Sequence, residues 1–299
     1  MLLGVIDIGG TSIKYGIVND DGEILYHDST PTEARLGGLE VIRKVNNLTD
    51  VLKQKWDITG FSISSAGQID RVNGVVIYAT DNIPGYTGMP IAKMVSEHTG
   101  LPVKVENDVN CTAFGEHWKG AAVGVNDFLC ITIGTGIGGA LFLNGLPYTG
   151  ANYSAGELGH MSLYPGGKPC TCGHRGCFEQ YASSSALGDM VNHEFGYPLE
   201  LKDFFMKIRE NDSKSICIFD QWIDDLTTGI QSLVHIFNPE LIVIGGGISA
   251  QGDLLVNAIK TSLSKKIMPN HWNSLAVKLA EKDNQANLLG AAKHYLMNE

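Results

Sequence analysis

One pattern occurs twice and constrains any fold the chain can adopt. Val5-Ile6-Asp7-Ile8-Gly9-Gly10-Thr11 is an apolar run closed by a glycine turn; it continues apolar to Val18 and turns at Asp20-Asp21-Gly22. Cys130-Ile131-Thr132-Ile133-Gly134-Thr135-Gly136 repeats this about 125 residues later, runs on from Gly139 to Leu143, and turns at Asn144-Gly145. Each copy reads as strand, glycine turn, strand and polar turn. Two such copies predict two related α/β halves.

Between the copies, Leu39, Ile42, Val45 and Leu52 fit one face of an amphipathic helix, and 61–64 and 103–106 read as short strands. The second strand runs into Asn107-Asp108, where a helix is predicted to begin. A loop-rich stretch covers 144–178, and helices follow from Ser184. A long helix over 216–237 should turn Phe219, Trp222, Ile223, Leu226, Ile230 and Leu233 inward. Then come a buried strand over 241–244, the Gly245-Gly246-Gly247 turn followed by a helix to about Lys265, and a closing helix holding Leu288, Leu289, Ala292 and Leu296.

Glycine supplies 36 of the 299 residues, well above the roughly 7% of ordinary proteins. It gathers at 9–10, 134–139, 145–150, 166–176 and 245–247, mostly after apolar runs. Glycine there lets the backbone turn at positive φ and approach a ligand closely, so the repetition favours phosphate loops. With 22 basic against 32 acidic side chains the net charge is −10. That balance argues against non-specific binding to nucleic acid or to an anionic membrane. No apolar run approaches the ~18 residues of a membrane helix, and Asp7 arrives with no basic leader before it. The expected location is the cytoplasm.

Two glycine loops satisfy dinucleotide fingerprints, and both fail on context. The loop from Gly134 to Gly139 fits G-x-G-x-x-G, but a strand follows where a helix is required. The loop from Gly245 to Ala250 lacks the acidic residue about 20 positions on that would hold a ribose. A Walker loop is absent. Asp7-Ile8-Gly9-Gly10-Thr11 is the sharper signal. A carboxylate at a strand end can hold Mg²⁺ directly or through water, while backbone N–H groups and Thr11 donate to phosphate oxygens. Gly134-Thr135-Gly136 repeats the layout without the acid, so two hairpins could grip one triphosphate.

Cys170, Cys172 and Cys177 crowd into eight residues, which in a cytosolic chain points to a metal rather than to disulfides. Thiolates and imidazole suit Zn²⁺. Two histidines compete for the fourth position, His174 inside the loop and His160 ten residues before Cys170. Cys111, Cys130 and Cys217 stand apart and are expected as small core residues.

The Asp7-to-Thr11 motif, the Gly134-Thr135-Gly136 hairpin and the Gly245-Gly246-Gly247 loop together resemble the actin-like (ribonuclease H-like) nucleotide-binding fold. Within it the chain resembles, from end to end, the ROK family of bacterial sugar kinases and repressors. The motifs that carry this are Glu106-Asn107-Asp108-Val109-Asn110, Glu157-Leu158-Gly159-His160, and the run from Cys170 to Glu179. The resemblance implies two α/β domains with mixed sheets facing an interdomain cleft. One would be 1–107 closed by the C-terminal helix, 284–299; the other would be 108–283, carrying the zinc loop.

The resemblance further implies an ATP-dependent kinase for the 6-hydroxyl of a hexose, N-acetylhexosamine or β-glucoside. N-acetylmannosamine or a β-glucoside is favoured, with glucose as the alternative. Asp108 matches the family's catalytic aspartate. ATP and Mg²⁺ fall to Asp7, Gly9, Gly10, Thr11, Lys14, Gly134, Thr135, Gly136, Gly245, Gly246 and Gly247. The sugar falls to Gly67, Asn82, Asn107, Asp108, Glu157, His160 and Glu179. Structural zinc falls to His160, Cys170, Cys172 and Cys177, so His160 would serve both sugar and metal. In one departure, Ala66 stands where the family usually carries proline. Repressors of the family place a DNA-reading module before the first motif, which here starts at Asp7; a kinase without nucleic-acid or membrane partners is therefore expected. Homodimers are common among the relatives.

Overall fold

In the computed structural model, which describes residues 1–282 and 285–297, both copies of the repeated pattern are antiparallel hairpins within mixed sheets. In the first, β1 (Leu2–Ile8) pairs with β2 (Ser12–Asn19), and β2 with β3 (Ile24–Pro31). On its other side β1 runs parallel to β4 (Gly60–Ser65). A small hairpin, β5 (Gln68–Asp70) and β6 (Val75–Tyr78), stands apart, and β7 (Val103–Asn107) completes the sheet parallel to β4. Helices α1 (Gly38–Lys53), α2 (Ile91–Thr99), α3 (Asp108–Lys119) and α10 (Ala286–Leu296) cover it.

Side chains alternate across a strand, and β1 uses both faces. Ile6 and Ile8 join the α1 and α2 core, whereas Leu3 and Val5 pack with Cys111 of α3 and with Leu288, Leu289, Ala291 and Ala292 of α10. Asp7 has the parity of Leu3 and Val5 and so points toward α10. In α1 the buried side chains are Val41, Ile42, Val45, Thr49 and Leu52, while Leu39, expected inside, is 69% exposed. At 100° per residue the buried face is centred roughly 110° around the helix from Leu39.

The compact unit built on this sheet comprises Met1–Gly124, Leu146–Ala155 and the chain from Glu281. It therefore keeps α3, against the expected boundary at 107/108. The reason is packing: α3 lies on α10 so closely that a Cβ at Gly290 would overlap the Cys111 carbonyl. The expected boundary at 283/284 lies outside the described residues.

The second unit, Val125–Gly145 with Gly156–Ala280, repeats the plan. β8 (Phe128–Ile133) pairs antiparallel with β9 (Ile137–Leu143). After the two-residue β10 (Leu146–Pro147) and the loops, β11 (Leu241–Gly245) runs parallel to β8 and β12 (Ala276–Leu279) parallel to β11. The order β9-β8-β11-β12 thus reproduces β2-β1-β4-β7 in sequence and direction. Its helices are α4 (Glu179–Ala182), α5 (Ser184–Phe195), α6 (Leu201–Arg209), α7 (Ser213–Phe237), α8 (Asp253–Leu263) and α9 (Pro269–Ser274). The six α7 side chains expected inward are all buried around Trp222.

Two expectations need correction here. The segment after Gly246 is a 3₁₀ turn, Gly247–Gln251, broken from α8 at Gly252, whose φ of +64° and ψ of −136° are not helical. Cys111 and Cys130 are buried, but Cys217 is exposed, because it lies roughly 140° around α7 from Trp222. No helix among the described residues is long and apolar enough to cross a membrane.

Candidate active site and metal cluster

At the end of β1, Asp7 is only 4% exposed. Ser64 Oγ, on β4, donates to Asp7 Oδ1 at 2.6 Å, and Asn287 Nδ2, on α10, donates to the same oxygen at 2.9 Å. Oδ2 faces Lys14 Nζ, its cross-strand partner, at 3.7 Å. One oxygen is thus fixed while the other faces the Lys14 ammonium beside the glycine turn, a carboxylate arrangement suited to a hard cation such as Mg²⁺. A Cβ at Gly10 would meet open space, Thr11 is exposed, and Gly9 closes the turn by donating to Ser12 O at 3.1 Å.

The capping residue of α3 is Asn107. Its Oδ1 accepts from the backbone of Val109 at 2.9 Å and of Asn110 at 3.1 Å. Its Nδ2 donates to Gly67 O at 2.9 Å and to Asp108 Oδ1 at 3.0 Å. Both lone pairs and both protons of the amide are therefore engaged, so Asn107 holds the Gly67 loop and the neighbouring carboxyl in place. Asp108 Oδ1 also accepts from Val109 N at 2.9 Å. Burial, with the Asp7 charge second, pushes the Asp108 carboxyl up to about 7, which suits a group that must take a proton near neutrality.

Gly67 turns at φ +97°. The preceding Ala66 donates its N–H to Ile8 O at 3.3 Å, a bond that proline could not make, so the departure from the family ties this loop to β1. Tyr86 is buried with its hydroxyl 2.8 Å from Ser65 Oγ; burial raises its pKa and the charge of Asp108 adds to the shift. Asn82 sits exposed on a turn of the 79–90 loop. Ser64, Ser65, Tyr86 and Asn287 were not expected from sequence. The available signal was three serines in β4, every residue of which is buried.

In the second unit the Gly134-Thr135-Gly136 turn is closed by Gly134 N donating to Gly136 O at 3.0 Å, and Ser184 N at the start of α5 donates to Gly134 O at 2.9 Å. Gly246, at φ +84°, lies against Ile133, whose carbonyl a Cβ would overlap. The loop at Gly245, Gly246 and Gly247 is therefore packed beside the 134–136 hairpin. Gly134 and Gly247 both face open space, leaving room for a bulky anion against the backbone around Thr135.

His160, Cys170, Cys172 and Cys177 bring their ligand atoms within 4.8 Å of one another. Cys170 Sγ lies 3.6 Å from His160 Nδ1, and Cys172 Sγ 3.6 Å from Cys177 Sγ. His174 is exposed and outside this group. Three thiols and one imidazole at these separations are the donor set of a closed tetrahedral zinc site. Glu179 Oε1 accepts from Cys170 Sγ at 3.2 Å, and Glu157 Oε2 lies 3.9 Å from His160 Nε2. Nδ1 of the imidazole is thus turned to the thiols and Nε2 to Glu157. Glu179 also abuts the phosphate-type hairpin: a Cβ at Gly136 would lie 2.5 Å from its Oε2.

A duplicated mixed α/β topology with a glycine hairpin in each copy defines the actin-like class of fold. The ROK family model matches residues 3–297, and the chain belongs to the ROK family. An uncharacterized protein of Clostridium perfringens is 38% identical over 99% of this chain and 98% of its own. The glucokinase of Thermotoga maritima is 33% identical over 97% of this chain and 96% of its own. A ROK family glucokinase from Streptomyces griseus, solved in complex with glucose and AMPPNP, superposes with a TM-score of 0.83 at 30% identity over 98% of both chains. Other relatives aligned nearly end to end are named beta-glucoside kinase and N-acetyl-D-glucosamine kinase.

Proposed function

We propose that this chain is a sugar kinase that transfers the γ-phosphate of Mg-ATP to the 6-hydroxyl of a hexose, N-acetylhexosamine or β-glucoside. The observation that carries the reading is Asp108, a carboxyl raised to about 7 and fixed by Asn107 at the start of α3. Asp108 takes the proton of the 6-hydroxyl as that oxygen bonds to the γ-phosphorus; the bond from that phosphorus to the bridging oxygen breaks and ADP leaves. Asp7 would hold Mg²⁺, which would supply charge neutralisation at the phosphates when bound. Thr11, Lys14 and the backbone at Gly9, Gly10, Gly134, Thr135, Gly136, Gly245, Gly246 and Gly247 orient the triphosphate.

Gly67, Asn82, Glu157, His160 and Glu179 hold the sugar, and Asn107, its amide already engaged, holds the Gly67 loop and Asp108 in place beside them. His160 Nδ1 with the three cysteines would hold structural zinc, leaving Nε2 to Glu157 and the sugar; zinc would rigidify the wall that carries Glu157 and Glu179. The relatives' names span several sugars, so the acceptor panel is N-acetylmannosamine and a β-glucoside first, then glucose and N-acetylglucosamine. ATP as the donor accords with a cytoplasmic enzyme.

The test is ADP release coupled to a dye, run with that panel, with the position of the phosphate on the product read by NMR. Sugar-dependent ADP release with phosphate at C6 is expected. Absence of turnover with every sugar, at full Mg-ATP, would overturn the proposal.

A further inference from the structure

A buried ion pair lies directly behind the start of α3, and the reading of Asp108 makes no use of it. Arg71, on the turn between β5 and β6, has a side chain only 8% exposed, with Nε 3.4 Å from Glu106 Oε2. The Glu106 side chain, at the end of β7, is 2% exposed. Its Oε1 accepts from the backbone of Asn107 at 2.8 Å and from Asn110 Nδ2 at 3.0 Å. One carboxylate oxygen therefore holds the residue before Asp108 and the residue two after it, while the other faces Arg71.

The turn that presents Arg71 is itself rigid. Asp70 Oδ1 accepts from the backbone of Val72 at 3.0 Å and of Asn73 at 3.1 Å, and its Oδ2 accepts from Asn73 Nδ2 at 2.7 Å. His294 of α10 closes the far side, with Nε2 3.9 Å from Glu106 Oε2 and its ring stacked on Phe114 at 5.9 Å. Burial, with the charges of Arg71 and Lys104 adding, pushes His294 down to about 3, so it brings no positive charge. Arg71 thus supplies the counter-charge that a carboxylate so deeply buried requires.

We infer that Arg71 and Glu106 are positioning residues for the phosphoryl-transfer reaction: the Arg71 guanidinium holds Glu106 ionised and in place, and Glu106 fixes the Asn107-Asp108 corner at which the sugar hydroxyl is deprotonated. The β5–β6 hairpin and the catalytic corner are then joined at two points, Arg71 to Glu106 and Gly67 O to Asn107 Nδ2. The inference rests on the kinase reading for its consequence, but its geometry can be tested without turnover.

The experiment compares the wild type with R71K, R71M, E106Q and R71M/E106Q. The readouts are kcat, the KM for sugar and for ATP, and hydrogen exchange of the amides at 107–110 against those of β8 and β11. R71M strands a buried charge and should loosen the corner: kcat falls about 10–100-fold, the KM for ATP holds, and exchange at 107–110 quickens while β8 and β11 stay unchanged. Adding E106Q removes the stranded charge and keeps an acceptor for both Oε1 bonds, so R71M/E106Q should recover most of the lost kcat and protection. R71K, which keeps the charge, should fall between R71M and the wild type.

R71M within about twofold of the wild type in both kcat and exchange overturns the inference; so does a loss that E106Q fails to relieve. If R71M does not fold, a folded double variant with protected 107–110 amides supports the pairing, and a double variant that also fails to fold overturns it. If the wild type phosphorylates no sugar, the kinase reading falls, while the exchange data still decide whether Arg71 and Glu106 hold the corner.

Discussion

Replacing Asp108 by asparagine should stabilise the free protein while abolishing turnover. The Asp108 carboxyl rises from 3.8 to about 7 on folding, roughly three pKa units at ~1.4 kcal/mol each, a ceiling of about 4 kcal/mol. Solvent reaching a half-buried carboxyl and local relaxation reduce this, so about 1–3 kcal/mol is expected at pH 8. A carboxyl whose pKa is raised by folding favours the fold most when protonated. Its contribution is full below the unfolded value near 3.8 and is lost as pH climbs through about 7. Asparagine carries no such penalty at any pH.

The gap between D108N and the wild type should therefore be small at pH 5 and widen by about 1–2 kcal/mol by pH 8. Urea unfolding of both proteins across that range, without nucleotide or sugar, measures it. In the kinase assay D108N should lose about 10²–10⁴ in kcat, with the sugar Kd from calorimetry nearly unchanged. A variant less stable than the wild type at pH 8, or a gap that ignores pH, would refute the argument from burial and the Asp7 charge. A kcat close to the wild type would refute the role as base.

Protein purified without chelator should carry one zinc per chain by metal analysis, and C170S should lose both the zinc and thermal stability; zinc-free wild type with C170S equally stable would remove the metal assignment. Gly246→Ala places a side chain at φ +84° and against the Ile133 carbonyl, so chemical denaturation should show a loss of about 2 kcal/mol or more, with the KM for ATP raised. Gly136→Ala meets only the end of the Glu179 side chain, so stability should barely change while the KM for sugar rises; an unchanged sugar KM would separate that hairpin from the sugar wall. Asn107→Ala removes the cap of α3 and should cost about 1–2 kcal/mol, with a fall in kcat that Asn107→Asp, which retains the acceptor, only partly restores.

What could be read from the sequence is what depends on short separations. The two glycine hairpins, the α7 face from Phe219 to Leu233 and the crowding of Cys170, Cys172 and Cys177 are patterns within a few turns or strands. Period and spacing are enough to recognise them. Errors of facing arise within the same elements: Leu39 and Cys217 sit on helices whose extent the periodicity marks, yet the core to which each helix turns is not written in the local pattern. The partners of Asp7 show the deeper limit. Ser64 is 57 positions away and Asn287 is 280, and neither residue type in isolation marks a site.

Glu106 makes the same point from inside a recognised motif. Its place beside Asn107 and Asp108 was plain in the sequence, but its work depends on Arg71, from a hairpin turn, and His294, from the last helix. Local pattern shows where a carboxylate stands along the chain. Whether that carboxylate is ionised, and which neighbours it holds still, is decided by groups that only the tertiary fold brings together. Asp108 follows the same rule: its raised pKa comes from burial and from the charge of Asp7, a hundred residues distant in the chain but close enough in the fold to be felt.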